Sequence, residues 1–142
     1  MIDGIFSSEI YQILEKSLNA SSMQHKMIAN NIANVETPGY KRSEVVFQNK
    51  LAEILDNSTK TYMPLYVTHA KHIPVMPNIK LGELQPEIVT RTEMSLRTDG
   101  NNVDIDSEMA SLAENTAAYS TLAQLTSTKL GMLKTAISDG RR

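Results

Sequence analysis

Two clusters in the chain carry side chains able to do chemistry. The first is His69-Ala70-Lys71-His72. Two histidines three apart on a helix can share a metal ion. Here Pro64, Pro74 and Pro77 surround the pair and argue against a helix, and no third ligand is evident. A surface or packing role is the plainer reading. The second cluster is Asp99-Gly100-Asn101-Asn102-Val103-Asp104-Ile105-Asp106-Ser107-Glu108, acidic and loop-like as a calcium loop would be. An EF-hand counted from Asp99 requires an oxygen ligand at its fifth position, glycine at the sixth and glutamate at the twelfth. Val103, Asp104 and Ala110 stand there instead, so calcium is excluded. Asp104 or Asp106 as a helix cap, with Glu108 near the positive end of the helix, accounts for the acids. No nucleophile elbow, glycine-rich phosphate loop or paired-carboxylate pattern occurs. The chain is therefore expected to be neither an enzyme nor a binder of cofactors or small molecules.

The third unusual stretch offers hydrogen bonding rather than catalysis. Ala29 to Arg42 holds Asn30, Asn31 and Asn34, followed by Thr37-Pro38-Gly39-Tyr40. Pro38 presets φ at the second position of a turn, and Gly39 can take the positive φ that a type II turn needs next. Thr37, preceding a proline, is pushed out of the helical region. A helix is expected to stop here. An ordinary helix stop explains Pro38 and Gly39 but not the asparagines, whose amides can meet freed carbonyls at a helix end or the backbone of a neighbouring subunit.

The elements around these stretches are mainly helical. Ser7 or Ser8 can cap a first helix, with Glu9 in its first turn. Apolar residues recur at Ile10, Ile13, Leu14 and Leu18, then Met23, Met27, Ile28 and Ile32, and no proline or glycine intervenes from Phe6 to Thr37. A helix of about 27 residues would be about 40 Å long. After the corner, Ser43 to Leu55 reads as a shorter helix capped by Ser43, with Phe47, Leu51, Ile54 and Leu55 on its apolar side. The β-branched pair Val45-Val46 equally suits an extended start. Residues 56–100 hold four of the five prolines and lose the helical period. Short strands are expected within Tyr62–Thr68 and Glu87–Leu96, in otherwise irregular structure.

The last element is a helix of about 35 residues, about 50 Å long. Ile105, Met109, Leu112, Thr116, Tyr119, Ala123, Thr126, Leu130, Leu133 and Ile137 follow at strict four-three spacing, a heptad seam. Asn115 to Thr128 contains no charged residue. An exposed helix face normally carries Lys, Glu or Arg, and too little other helix is present to surround this one. Contact with several neighbouring subunits is the expectation. The eight methionines read as core filling.

Composition narrows the rest. The 142 residues carry a formal charge of -2 and no cysteine. No basic field is available for nucleic acid or an anionic membrane, and no disulfide, thiolate nucleophile or cysteine-bound zinc is possible. The start of the chain lacks the basic and apolar regions of a secretory signal, and no apolar run approaches the roughly 20 residues of a membrane helix.

The Ala29–Arg42 stretch resembles the signature of bacterial flagellar basal-body rod and hook proteins, an Ala-x-Asn-Ile/Leu-Ala-Asn run ahead of Thr-Pro-Gly-Tyr. The Asp99–Asp106 turn and the long last helix resemble the C-terminal portion of the same family. The short middle looks like a rod protein, and Thr68-His69-Ala70-Lys71-His72-Ile73 is similar to a segment of the B-type proximal rod proteins. The resemblance implies a mainly α fold in which the terminal helices pair as a coiled coil around a short irregular or β middle. It divides the chain as 1–42 (first helix and corner), 43–100 (short helix and insertion) and 101–142 (heptad helix), one structural domain whose termini order mainly on assembly. It further implies a structural subunit of the flagellar drive shaft, exported unfolded through the flagellar type III apparatus without a cleaved signal, polymerising helically and transmitting torque. Implied neighbours are copies of itself, other proximal rod proteins, the adapter between the membrane-embedded MS-ring and the rod, and the export gate. Without the family, a self-contained coiled-coil adaptor dimer is the alternative.

Overall fold

The computed structural model describes residues 9–59, 81–93, 95 and 97–139. The chain runs α1 (Glu9–Ala33), β1 (Ser43–Val46), α2 (Gln48–Thr59), a single 3₁₀ turn (Leu81–Glu83), β2 (Glu87–Thr90) and α3 (Ile105–Asp139). The fold is mainly α, with the long N- and C-terminal helices packed together over a short strand-containing middle. His69, His72 and the Tyr62–Thr68 strand expectation lie outside the described residues, as do Ser7 and Ser8.

Helix α1 is central because two of its faces are used. One face packs against α3, and the pairing is antiparallel: Asn31 meets Glu108, Ser21 meets Asn115, and the Tyr11 hydroxyl donates to the Lys129 carbonyl. Leu14, Ser21 and Ile28, each seven residues apart, are buried along it. The other face carries Lys16, Ala20, Gln24 and Asn31 toward the middle segment. Lys16 Nζ donates to the Gly82 and Leu84 carbonyls at 3.0 and 2.8 Å, closing the 3₁₀ turn. Ala20 packs with Phe47 and Leu84, and Val45, Leu51, Ile54 and Leu81 close around them. Burying each large side chain here contributes roughly 1.5–3 kcal/mol, so this small cluster, not the helix pair alone, fixes where the middle segment sits.

The two strands form an antiparallel ribbon in which Ser43 faces Thr90 and Val46 faces Glu87. Arg91 N–H donates to the Arg42 carbonyl at 2.8 Å, which sets the alternation: Ser43 and Val45 turn their backbone groups away from β2. Side chains of α1 receive them. Asn31 brackets Ser43, and Gln24 Oε1 accepts from Val45 N–H at 2.8 Å. The outer edge of β1 is thus paired without a third strand.

Ser43 caps no helix. It opens β1, and α2 begins only at Gln48, with Leu51 N–H donating to the Phe47 carbonyl at 2.9 Å. The extended alternative for Val45-Val46 prevails because Val46 gains ladder bonds to β2, while Val45 bonds Gln24 and packs against the Ala20 cluster. Phe47, Leu51 and Ile54 do form the inward side of α2, while Leu55 is exposed.

Candidate assembly corner

The corner begins where α1 runs out of partners for its backbone. Asn34 N–H bonds the Asn30 and Asn31 carbonyls, and the Asn34 amide reaches back to the Asn30 carbonyl at 2.8 Å. Thr37 Oγ1 donates to Asn34 Oδ1 at 3.3 Å. Tyr40 N–H then closes on the Thr37 carbonyl, and Gly39 sits at φ 73°, as a type II turn with proline second and glycine third requires. Pro38 and Gly39 themselves are exposed.

The carbonyls freed at this turn are satisfied from the far end of the chain. Asn101 Nδ2 donates to the carbonyls of Asn34, Val35 and Thr37 at 2.9, 3.0 and 3.0 Å, and its Oδ1 accepts from Val103 N–H at 2.7 Å. Asn101 is fully buried. Gly39 N–H donates to the Asp99 carbonyl at 2.9 Å, Lys41 Nζ to the Gly100 carbonyl at 2.7 Å, and Arg42 N–H to Asn102 Oδ1 at 2.7 Å. The 99–102 turn, with Gly100 at φ 77°, is bonded along its length to the residues that leave α1.

Asn31 occupies the centre. Its Nδ2 donates to the Ser43 carbonyl at 2.8 Å and to Glu108 Oε2 at 3.1 Å. Its Oδ1 accepts from Ser43 N–H at 3.0 Å and Tyr40 Oη at 3.3 Å. Helix, turn, strand and C-terminal helix thus meet on one side chain. Glu108, 1% exposed, also lies 2.7 Å from Arg42 Nε. The Nε–H does not aim at the carboxylate, so this contact is an ion pair rather than a formed hydrogen bond. Arg42 extends the chain of charge to Glu44, which pairs with Arg91. That exposed pairing raises the Arg91 pKa, first through its hydrogen bond to Glu44.

Helix capping therefore does not account for all the acids of the 99–108 stretch. Asp104 is the cap: Asp106 N–H donates to Asp104 Oδ1 at 3.1 Å, and Glu108 N–H to its carbonyl. Glu108 instead holds the inter-helix contact. Asn101 and Glu108 carry the joint and were not singled out from sequence. The signal for Glu108 was a row of seven-residue spacing, Glu108, Asn115, Leu122 and Lys129, which a search for apolar repeats passes over.

The residues expected to make assembly contacts divide into two groups. Leu14 is buried, and Ile13, Leu18 and Met27 are half-buried on α1, while Ile10 is exposed. Asn31, Asn34, Thr37 and Tyr40 are drawn together at the corner, with Asn30 contributing its carbonyl. On α3, Leu112, Thr126 and Leu133 are half-buried. Ile105, Met109, Thr116, Tyr119, Ala123, Leu130 and Ile137 are exposed. The outer edge of the seam, Met109, Thr116, Ala123, Leu130 and Ile137, therefore faces away from α1, while Leu112, Thr126 and Leu133 flank the face turned to it. That face centres on the row Glu108, Asn115, Leu122 and Lys129.

An asparagine-centred corner thus joins the end of α1 to the start of α3, and the two long helices leave it side by side. Residues 12–41, α1 and the corner, match the family described as flagella basal body rod protein. The chain is 34% identical to the flagellar basal body rod protein FlgB of Bacillus subtilis (strain 168), over 97% of this chain and 99% of that one. It is 34% identical to FlgB of Borreliella burgdorferi over 72% of this chain and 76% of the relative, and 29% identical to FlgB of Escherichia coli (strain K12) over 84% of each. The chain belongs to the FlgB family of flagellar basal body rod proteins.

Proposed function

We propose that this protein is a non-catalytic structural subunit of the proximal rod of the flagellar basal body, polymerising helically through α1 and α3 and transmitting torque along the rod. The observation that carries this reading is the outer surface of α3. Met109, Ala123, Leu130 and Ile137 stand exposed in one row, Ile137 at 64%. Between them, the hydroxyls of Thr116, Ser120, Thr121, Thr126 and Thr128 donate to carbonyls one turn back at 2.8–3.0 Å. Bonded inward, they need few partners from a neighbour. An uncharged helix of this kind loses little by desolvation when another helix covers it.

In this reading the neighbours are copies of the chain, other proximal rod proteins, the MS-ring–rod adapter and, at the rod base, the flagellar type III export gate. No nucleic acid or small-molecule substrate takes part. The chain resides in the rod, within the periplasmic space, having been exported without a cleaved signal. The ends of the helices away from the corner gain most of their order on assembly, because isolated long helices lack partners for their apolar faces.

Co-sedimentation of the chain with the other proximal rod proteins tests this. Ala123→Glu with Leu130→Glu should abolish joining while leaving the free chain folded. Incorporation of that variant into rods would overturn the proposal. A closed dimer in analytical ultracentrifugation that never joins rod proteins would favour the adaptor alternative. Asn34→Ala and Gly39→Val should harm assembly more than they harm solubility, and normal rods from both would remove the corner from the assembly role.

A further inference from the structure

Helix α3 carries two candidate faces for α1 and uses the less apolar one. The face shown to α1 bears Glu108, Ser111, Asn115, Leu122 and Lys129, flanked by Leu112, Thr126 and Leu133 from the inner edge of the four-three seam, whereas the uncovered outer edge of the seam bears Met109, Ala123, Leu130 and Ile137. Burial of apolar area alone favours the seam. What holds the observed face is polar, with Asn31, Glu108 and Ser21 buried and Arg42 and Asn115 half-buried: Asn31 and Arg42 on Glu108 at 3.1 and 2.7 Å, and Ser21 with Asn115. In that second pair Ser21 Oγ donates to Asn115 Oδ1 at 2.8 Å, and Asn115 Nδ2 donates to the Ser21 carbonyl at 3.0 Å. On rotation of α3 to its apolar seam, Glu108 and Asn115 would leave these partners, and Asn31 and Ser21 would remain buried without them.

We infer that Asn31, Arg42 and Glu108, with Ser21 and Asn115, form a face selector. Their function is to make the intramolecular pairing of α1 and α3 take the polar side of α3, so that the apolar seam stays uncovered in the free subunit. The contacts are specificity devices: a buried ion pair adds little net stability over apolar residues of similar volume, but it penalises arrangements that break it. An unselected α3 would satisfy its own seam against α1 and leave nothing for a neighbour. The use of the spared seam rests on the polymerisation reading above; the selection itself does not.

The chain has no cysteine, so a single introduced thiol reports which side of α3 is covered. Met109→Cys places it on the exposed seam, 52% exposed in the native side chain, and Ser111→Cys on the half-buried side. In the otherwise native chain the thiol at 109 should be alkylated faster than the thiol at 111. In the apolar-corner background (Asn31→Leu, Arg42→Met and Glu108→Met together) the ratio of the two rates should fall about tenfold or more, as a preference of 1–2 kcal/mol for the apolar face implies. An unchanged ratio in a background that keeps native helical circular dichroism would overturn the inference. Ser21→Ala with Asn115→Leu leaves the corner intact and should shift the ratio the same way; it decides the matter if the corner background does not fold. The ratio is read on the free chain, so failure of the native chain to polymerise would remove the proposed function and leave this test standing.

Discussion

Asn31 and Glu108 at the corner, and Leu130 and Ile137 far along α3, belong to one pair of helices but obey opposite rules. At the corner the side chains are polar, buried and mutually bonded, with Asn31 1% exposed and Asn101 not exposed at all. Along distal α3 the side chains are apolar and exposed, and the polar groups between them are folded back onto their own helix. The corner is complete within one chain, whereas distal α3 leaves apolar side chains uncovered within it. Conformation is thus specified by intramolecular polar partners at the corner, and the apolar surface along distal α3 is the one that the proposed assembly would cover.

Four measurements can break or sharpen that contrast. The largest effect on the free chain is expected from Asn101→Ala. It takes the Asn101 side chain from the Val35 carbonyl and the Val103 N–H, while the Asn34 and Thr37 carbonyls keep their turn donors, and should lower stability by about 3 kcal/mol in urea unfolding; a loss under about 1 kcal/mol would mean the corner is not self-sufficient. Gly39→Val forces a β-branched residue to φ 73° and should cost about 2 kcal/mol by the same measurement. Leu130→Ser touches nothing deeply buried and should change free-chain stability by less than about 0.5 kcal/mol, while weakening co-sedimentation with rod proteins. Destabilisation comparable to that of Gly39→Val would show distal α3 to be part of the monomer core.

The smallest effect concerns pH. A hydrogen bond from Arg97, and next the Asn101 N–H at 3.1 Å, hold the Asp99 carboxyl below its ordinary value of 3.8. A lowered carboxylate stabilises the fold above its unfolded pKa, and that contribution disappears as pH falls through the folded one. Stability should therefore decline slightly below about pH 3.8. Asp99→Asn should flatten that part of the profile, and an identical slope in the variant would exclude Asp99 as its source.

Much of this organisation was legible in the chain, because the elements announce themselves locally. The Pro38-Gly39 turn, the end of α1 before it, the 99–102 turn and the start of α3 each follow from residues within one turn of one another. The β2 strand falls inside the expected 87–96 run. What was not legible depends on long separations. Asn101 caps backbone groups more than 60 residues away, and Glu108 answers Asn31 and Arg42, so neither role shows in a local window. The face that α3 turns to α1 was not legible for a related reason. Apolar periodicity identifies the stickiest side of a helix, not the side its own chain uses, and here buried asparagine, serine and glutamate decide between them. Ser43 was read as a cap by residue type, but its backbone had a better partner in Asn31.

The hydroxyls that bond back along α3 have one further consequence. A hydrogen bond between subunits fixes an angle, because donor and acceptor must align. A surface of methyls, alanines and leucines fixes almost none. In the proposed assembly, neighbours resting on α3 would roll or slide by small amounts at little energetic cost, so one sequence would suit several non-equivalent surroundings. In that reading the helix is less a glue than a bearing.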